Sequence, residues 1–155
     1  MKLYRELDIK GMILDKEQLL RYIEKIASAH SITQNSDKGT YPIPFLRDNF
    51  AFITKTYKLL DEHIKLNIPI PPSGEWLLDN YYIIEETVKT VSKELTLKKY
   101  ANLVGIENGT YKGYARVYVL SSEIIAYTDN KIDSETLKEL LKAYQTKKYL
   151  SMEEI

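Results

Sequence analysis

The sequence predicts an all-α fold. Two long apolar stripes recur at alternating spacings of four and three residues, the pattern of one helix face packed on a core. Residues that favour helix starts precede several of the apolar segments. Stretches rich in Pro, Gly and Asn separate them. We therefore expect five to six helices with antiparallel neighbours, in a helical-hairpin or toroid-like bundle.

Length and composition predict a single helical domain over residues 1–155. Of the 155 residues, 44% are hydrophobic and 28% are charged, which is enough for a sizeable core. Basic and acidic residues balance at 22 each, so no nucleic-acid partner is expected, because phosphate binding normally leaves a basic excess. The chain lacks Cys, which removes disulfides, thiolate metal sites and a Cys nucleophile. No long apolar run or signal peptide is present, so we expect a soluble, cytosol-facing segment without a membrane span.

The first helix is predicted to begin at Asp15, after loosely ordered residues 1–14. Asp15 is placed to accept a hydrogen bond from an unpaired backbone N–H, and Gln18 occupies the reciprocal position of a capping box. Apolar residues then recur at helical spacing. Residues 31–44 contain Asn, Ser, Asp, Gly and two Pro, so they predict a loop between helices.

The next two helices carry the apolar stripes. The first is predicted from Phe45 and ends at the Pro-rich residues 68–72. Ser73 is the predicted N-cap of the second, and Glu75 suits the positive end of its dipole. The short connection predicts antiparallel packing, with both stripes and Trp76 in the core. The stripes are Leu46, Phe50, Ile53, Tyr57, Leu60 and Ile64, then Leu77, Tyr81, Ile84, Val88, Val91 and Leu95.

These two helices resemble each other in sequence. When residues 45–60 are set against residues 76–91, an offset of 31, six of sixteen positions are identical. Arrays of helical hairpins produce such similarity, but two amphipathic helices also share residues by chance. We favour the chance interpretation. The identical pairs are Leu46/Leu77, Asp48/Asp79, Asn49/Asn80, Ile53/Ile84, Thr56/Thr87 and Lys58/Lys89.

The C-terminal third predicts a short helical turn and two further helices. Residues 96–100 suit the turn. A helix is predicted from Tyr114, because the length of the segment outweighs the strand propensity of residues 117–119. Asp133 is the predicted N-cap of the last helix. Residues 151–154 read Ser-Met-Glu-Glu, a capping box that opens a helix, so we expect this chain to be a fragment of a larger protein.

Most single features favour structure over chemistry. His30 and His63 lack a second ligand at the spacing of a helical metal site, so no metal is expected. Glycines at 105, 109 and 113 predict a flexible connector, because no strand precedes them and no Gly-Lys-Ser/Thr follows. We expect no catalytic residue and no cofactor in this chain.

One polar and aromatic set is the candidate site, and two interpretations of it stay open. In a functional interpretation, its carboxylates would serve as acid and base, or its Asp and Asn side chains would hold a sugar stacked on Trp76. In a structural interpretation, which we favour, they would bind facing loops or helix ends, with Arg47 or Arg116 as partners. Two-carboxylate catalysis requires a defined spacing across a cleft. The set is Asp48, Asn49, Trp76, Asp79, Asn80 and Arg116.

Several ordered motifs resemble the N-terminal region of cyclic β-1,2-glucan synthases. In that family, Glu-Trp-Leu-Leu-Asp-Asn and an aromatic residue lead into a helix with Glu-Glu, and Gly-Tyr-Pro-Arg-Val-Tyr follows. The similarity covers residues 31–155, and Ala115 stands where the family usually has Pro. The matching segments are WLLDNYYIIEE at 76–86, YARVY at 114–118, AYTD at 126–129 and AYQ at 143–145, with LRDN at 46–49 as an earlier one.

The resemblance implies a very large, membrane-embedded, multidomain parent enzyme. Its glycosyltransferase part would polymerise glucose from UDP-glucose, and phosphorylase-like parts downstream would cyclise the chain and adjust its length. This segment would lie ahead of the glycosyltransferase core, on the cytosolic side of the inner membrane. It has no Asp-x-Asp motif, so no catalytic residue of the family can be assigned to it. The expected role is that of an accessory domain that packs on or regulates the core, with the remainder of the same polypeptide as its partner.

Two alternatives remain open. The segment could be a glucan-binding or priming module that holds β-1,2-glucan with Trp76, tyrosines and the Asp-Asn pairs. Exposed aromatic residues beside Asp and Asn in a groove would favour that module, and burial of the same residues would favour a scaffold. The other alternative is a helical adaptor unrelated to glucan synthesis. A natural stop codon after Ile155 would support the adaptor.

Overall fold

A computed structural model of the chain describes residues 13–128 and 131–155. Over these residues it contains six α-helices, a small antiparallel sheet and one 3-10 turn, which confirms the all-α prediction. The predicted loose order of residues 1–14 lies almost entirely outside the described residues. The elements are α1 (Lys16–Ala29), β1 (Ile32–Thr33), the 3-10 turn (Lys38–Thr40), α2 (Ile43–Lys65), α3 (Pro72–Glu94), α4 (Leu97–Asn102), β2 (Gly105–Ile106), α5 (Arg116–Tyr127) and α6 (Ser134–Gln145).

The described residues group into two compact units. We call Tyr41–Leu97, which contains α2 and α3, the hairpin unit. We call the described residues up to Thr40 together with Lys98–Ile155 the split unit. The chain therefore leaves the split unit at Thr40 and returns to it at Lys98. That the whole chain acts as one domain stays a prediction.

The core of the split unit lies between α1, α5 and α6. Helix α1 packs on α6 and also contacts α5. The predicted capping box opens α1, since the Gln18 backbone N–H donates to Asp15 Oδ1 at 2.9 Å and the Asp15 N–H donates to Gln18 Oε1 at 3.1 Å. The buried apolar cluster consists of Leu19, Ile23, Ala27, Leu120, Ile124, Leu140, Ala143, Tyr144 and Leu150.

A two-stranded sheet joins two segments that the sequence predicts as loops. Strand β1 pairs antiparallel with β2, so that Ile32 lies opposite Ile106 and Thr33 opposite Gly105. A Cβ atom at Gly105 would lie 2.5 Å from the Asn35 carbonyl oxygen, so this close approach requires Gly. Strands of two residues are too short for alternation to predict them.

The hairpin unit consists of two antiparallel helices, as predicted. Thr54 Oγ1 and Tyr81 Oη lie 2.9 Å apart, and the ring of Tyr81 stacks on that of Tyr57 with centroids 4.0 Å apart. Nearer the turn, a Cβ atom at Gly74 would lie 3.0 Å from Leu60 Cδ2. Residues farther along α2 therefore contact residues nearer the start of α3, as expected for antiparallel helices.

Three predictions about this hairpin are wrong in detail. Helix α2 begins at Ile43 rather than Phe45, and α3 begins at Pro72, so that Ser73 lies in the first turn and is not the N-cap. Proline fits the first turn of a helix because the N–H it lacks would have no partner there. Trp76 is 61% exposed and is not in the core. Two packed helices bury only the side chains at the surface where they meet, and Trp76 lies outside that surface.

The helix boundaries in the C-terminal third are close to those predicted. The segment after Tyr114 forms helix α5 rather than a strand. Asp133 caps α6, accepting from the Thr136 N–H at 2.8 Å. Residues 152–154 form a turn. One of the two hydrogen bonds of the predicted capping box forms in this turn. The Ser151 N–H donates to Glu154 Oε2 at 2.8 Å.

Candidate functional site

The six predicted site residues are divided between the two units. Five lie in the hairpin unit, and Arg116 lies in the split unit. Asp48 and Asn49 are exposed near the start of α2, and Asp79 is exposed near the start of α3. Because α2 and α3 are antiparallel, the register set by the Thr54–Tyr81 contact separates Asp48 from Asp79 by about eight residues, or about 12 Å along the hairpin. The two Asp-Asn pairs therefore do not form one carboxylate site.

Trp76 and Asn80 are neighbours on α3. The Asn80 side-chain amide donates to the Trp76 carbonyl oxygen at 2.8 Å. Trp76 itself is 61% exposed, and Asp79 lies on the adjacent turn of the same helix. This surface presents an aromatic ring with polar side chains beside it.

Arg116 is the centre of a buried polar cluster in the split unit. It is the first residue of α5, and its side chain is 1% exposed. Its guanidinium forms a bidentate ion pair with Glu154, in which Nε donates to Oε1 at 3.0 Å and Nη2 donates to Oε2. Nη2 also donates to the Tyr149 carbonyl oxygen at 3.0 Å. The carboxylate that binds Arg116 is therefore that of Glu154. The sequence had predicted the Asp carboxylates of the candidate set as partners.

The ion pair connects to an aromatic pair. The Arg116 guanidinium carbon lies 5.8 Å from the centre of the Tyr144 ring, and Tyr144 Oη lies 2.9 Å from His30 Nδ1. Burial raises the pKa of Tyr144 to about 12. Burial, followed by the positive charge of Arg116, lowers the pKa of His30 below its ordinary value of 6.5. His30 and Tyr144 are therefore both neutral at pH 7.

One donor of this cluster stays unpaired. Arg116 Nη1 is buried and has no hydrogen-bond partner among residues 13–128 and 131–155. The other guanidinium nitrogens bind the segment that follows α6, through Tyr149 and Glu154. Arg116 thus fixes residues 149–154 against the N-terminal end of α5.

A second buried carboxylate lies on α5. Glu123 is 9% exposed and accepts from Tyr22 Oη at 2.6 Å and from Tyr111 Oη at 2.9 Å. Burial, together with the hydrogen bond to Glu123, raises the pKa of Tyr22. Tyr22 also packs edge-on against Tyr127, with centroids 4.8 Å apart. These contacts join α1, α5 and the loop before α5.

Sequence reasoning missed Glu154, Glu123 and their tyrosine partners. The partners of Glu123 lie 101 and 12 residues away in the chain, so no local spacing pairs them. The capping-box pattern at residues 151–154 did mark Glu154, but only as a helix start. The high tyrosine content, 13 of 155 residues, was the available signal for buried hydroxyl groups.

Neither a cluster of metal ligands nor a helix fit to cross a membrane is present among the described residues. In the part of the chain that the structure describes, no group of three or more His, Cys, Asp or Glu residues is arranged to hold a metal ion. None of the helices in residues 13–128 and 131–155 combines the length and apolar character needed to cross a membrane.

Comparison with curated proteins gives a similarity to an enzyme of glucan synthesis. Over 121 residues the chain is 25% identical to the cyclic beta-(1,2)-glucan synthase NdvB of Rhizobium meliloti (strain 1021). The aligned region covers 76% of this chain and 4% of that synthase, so the chain corresponds to a small part of this relative. No family model matches the sequence, and no solved structure matches it significantly. The similarity agrees with the resemblance that the sequence motifs indicate.

Proposed function

We propose that this chain is an accessory, non-catalytic region of a cyclic β-1,2-glucan synthase. The observation that carries the proposal is the 25% identity to the Rhizobium meliloti synthase, which extends over 76% of the chain. In this proposal the segment lies N-terminal to a glycosyltransferase core, on the cytosolic side of the inner membrane. It packs on that core or regulates it, and its partner is the remainder of the same polypeptide.

The buried polar groups of the split unit support a scaffolding role. Arg116 is bound to Glu154, and His30 is bound to Tyr144. Glu123 accepts hydrogen bonds from two tyrosines. Groups that satisfy one another in a core hold elements together and are not available to a substrate.

The segment that Arg116 fixes supplies a surface for packing on a core. Tyr149 is 87% exposed and Met152 is 88% exposed. The Tyr149 carbonyl oxygen binds Arg116, and Glu154, two residues after Met152, binds the same guanidinium. Two large apolar side chains are therefore held outward by a buried anchor, which lowers the entropy lost on docking.

The test uses the full synthase that carries this sequence. We expect Tyr149→Ser combined with Met152→Ser to lower glucan synthesis from UDP-glucose in membranes. We expect the matched control Glu153→Ser, an exposed residue of the same segment, to leave synthesis unchanged. The purified 155-residue chain should transfer no glucose. Glucan formation by that chain, or full synthesis by the double variant, would refute the accessory role.

A glucan-binding module is the second candidate, and the exposure of Trp76 favours it. An exposed indole with Asp79 one turn away is a surface on which a sugar ring could stack. Trp76 is the only tryptophan of the chain, so its fluorescence reports this surface alone. Titration with linear β-1,2-glucan, followed by Trp76 emission and NMR shifts, tests the candidate. Saturable shifts localised around Trp76 would favour glucan binding over packing, and silence with glucan and UDP-glucose would leave the accessory role.

A further inference from the structure

The loop between β2 and α5 is joined to the end of α1 by one side chain. Asn108 Nδ2 donates to the Ala29 carbonyl oxygen at 3.0 Å, and Asn108 Oδ1 accepts from the Ser31 backbone N–H at 2.9 Å. Ala29 is the last residue of α1, where the helix carbonyl groups lack a partner within the helix. We call these two hydrogen bonds the Asn108 tie.

The Asn108 tie continues the pairing of the small sheet. The Glu107 N–H donates to the Ser31 carbonyl oxygen at 2.8 Å, next to the pairing of Ile32 with Ile106. The following bond to this segment comes from the Asn108 side chain instead of a backbone group. One side chain therefore holds the loop against both the sheet segment and the C-terminal end of α1.

Asn108 is followed by glycine, and this order of residues is chemically reactive. The chain has seven Asn residues, and Asn108 alone precedes a Gly. The backbone nitrogen that follows an Asn can attack its side-chain carbonyl carbon, but a Cβ atom on the attacking residue obstructs the approach. Gly109 has no Cβ atom, so its nitrogen can reach Cγ of Asn108.

The loop leaves room for this reaction at Gly109. Its φ is +66°, and no atom of the described residues, its chain neighbours apart, lies within 4 Å of the position that a Cβ atom would occupy. The Gly109 N–H forms no backbone hydrogen bond within the described part of the chain, so no carbonyl group holds the attacking nitrogen. Asn108 is exposed, so water can reach the product.

We propose that Asn108 is a self-modification site, at which succinimide formation with Gly109 breaks the Asn108 tie. The Gly109 nitrogen bonds to Asn108 Cγ, the bond from Cγ to Nδ2 breaks, and ammonia leaves with the proton of the attacking nitrogen. Water then opens the ring at either carbonyl group, which gives aspartate or isoaspartate. No oxidation state changes, and water is the co-reactant. The proposal goes beyond the accessory role, because the chemistry lies within the chain itself.

The Asn108 tie controls how often the reaction occurs in the folded chain. Attack on Cγ requires the amide group to leave its two backbone partners on Ala29 and Ser31. Each hydrogen bond of this kind favours the closed state by a factor of several, so the two together should slow the reaction at least about tenfold relative to the unfolded chain.

Both products weaken the link between the loop and α1. Aspartate has no N–H to donate to the Ala29 carbonyl oxygen, and it adds a negative charge next to Glu107 in the chain. Isoaspartate carries the backbone through Cγ, so both hydrogen bonds of the Asn108 tie are lost. The modification therefore releases the loop from the end of α1.

The experiment incubates the purified 155-residue chain at neutral pH, in native buffer and separately in concentrated urea. Trypsin releases residues 100–112 as one peptide, which contains Asn108 and, as an internal control, Asn102 followed by Leu103. Chromatography separates aspartate from isoaspartate, and fragmentation in the mass spectrometer assigns each product to its residue. We expect both products at Asn108 and none at Asn102, with conversion at least about tenfold faster in urea than in native buffer.

A substitution that imitates one product measures the contribution of the Asn108 tie. Asn108→Asp should raise the unfolding equilibrium constant about fivefold, because the Ala29 carbonyl oxygen loses its donor and faces a carboxylate. Asn102→Asp is the matched control, since it adds the same charge at an exposed residue of the split unit. It should change that constant by about twofold or less in urea unfolding.

Four results would overturn the proposal. One is an unmodified Asn108 in native buffer after about two hundred times the period that converts the urea sample, which is the most that two such bonds can delay the reaction. Another is an equal rate in native buffer and in urea. The third is aspartate without isoaspartate, which indicates direct hydrolysis without the Gly109 nitrogen. The fourth is an equal unfolding constant for Asn108→Asp and Asn102→Asp.

Discussion

The two units use their apolar residues in opposite ways. In the split unit, α1 and α5 pack with α6 and bury its Leu140 and Tyr144 completely. In the hairpin unit, two longer helices leave Phe52 and Trp76 mostly exposed. Long helices alone therefore do not form a buried core. A third or fourth element must close the apolar face, and the split unit has these elements within the described chain.

The units also differ in whether their charged side chains are buried or exposed. The split unit buries an Arg-Glu pair and a second carboxylate, each with hydrogen-bond partners. The ion pairs of the hairpin unit are exposed and join residues four apart on one helix. Exposed pairs of this kind contribute little to stability, whereas loss of one member of a buried pair leaves an unpaired charge. The following predictions test this contrast.

The largest expected effect is the loss of the buried ion pair. Glu154→Ala leaves Arg116 charged and buried without its carboxylate, so we expect the free energy of unfolding to fall by about 3–5 kcal/mol. Urea unfolding followed by circular dichroism measures this. Glu153→Ala, at the exposed neighbouring residue, should change it by less than about 0.5 kcal/mol. Equal effects of the two substitutions would show that Arg116 does not depend on Glu154.

Gly105→Ala tests the close approach beside the small sheet. The added Cβ would meet the Asn35 carbonyl oxygen at 2.5 Å, and backbone cannot move aside easily. We expect a loss of about 2–3 kcal/mol in the free energy of unfolding. At Gly39 the added Cβ would lie 3.3 Å from the flexible Asp37 carboxylate, so Gly39→Ala should lose less than about 1 kcal/mol. An unchanged free energy of unfolding in Gly105→Ala would contradict the contact between Gly105 and Asn35.

Acidification should weaken the split unit through His30. Its pKa is lowered in the folded state, mainly by burial, so the unfolded chain binds more protons as the pH falls below 6.5. The contribution of His30 is therefore fully present above that pH and is lost as the pH falls toward the folded pKa. We expect His30→Gln to flatten the dependence of the urea midpoint on pH between about 7.5 and about 5.5. His63→Gln, the control, should retain the wild-type slope, and an unchanged slope in His30→Gln would sink the prediction.

The smallest effect is expected at Trp76. Because Trp76 is exposed, Trp76→Ser should change the free energy of unfolding of the single chain, measured at about 1 µM, by less than about 0.5 kcal/mol. Leu140→Ala, at a completely buried residue of the split unit, should lower it by about 2–5 kcal/mol. A loss above about 2 kcal/mol at Trp76 would mean that this indole is part of a core after all.

Much of the fold follows from local patterns. The capping box at Asp15, the stripes of α2 and α3, and the Asp133 cap each predict an element that the structure contains. Such signals depend on neighbours within one or two helical turns. The starts of α2 and α3 differ by two residues or fewer from the predictions, because Pro is accepted in the first turn.

The candidate site was less predictable. Sequence identified Arg116 as a polar group of interest, yet its partner Glu154 lies 38 residues away. The two Asp-Asn pairs look equivalent in sequence, but the antiparallel packing of their helices separates them by about 12 Å along the hairpin. Tertiary distances of this kind depend on how helices pack, which local spacing does not contain.

By itself, the sequence determined the helical class, the antiparallel hairpin and the similarity to glucan synthases, because periodicity, capping residues and motifs are local properties. Only the tertiary structure decided that Arg116 and Glu154 form a buried pair and that Trp76 is exposed. Burial is a property of the elements that surround a residue. Trp76 and Tyr144 are both large aromatic residues on helices, but only Tyr144 is closed over by neighbouring helices.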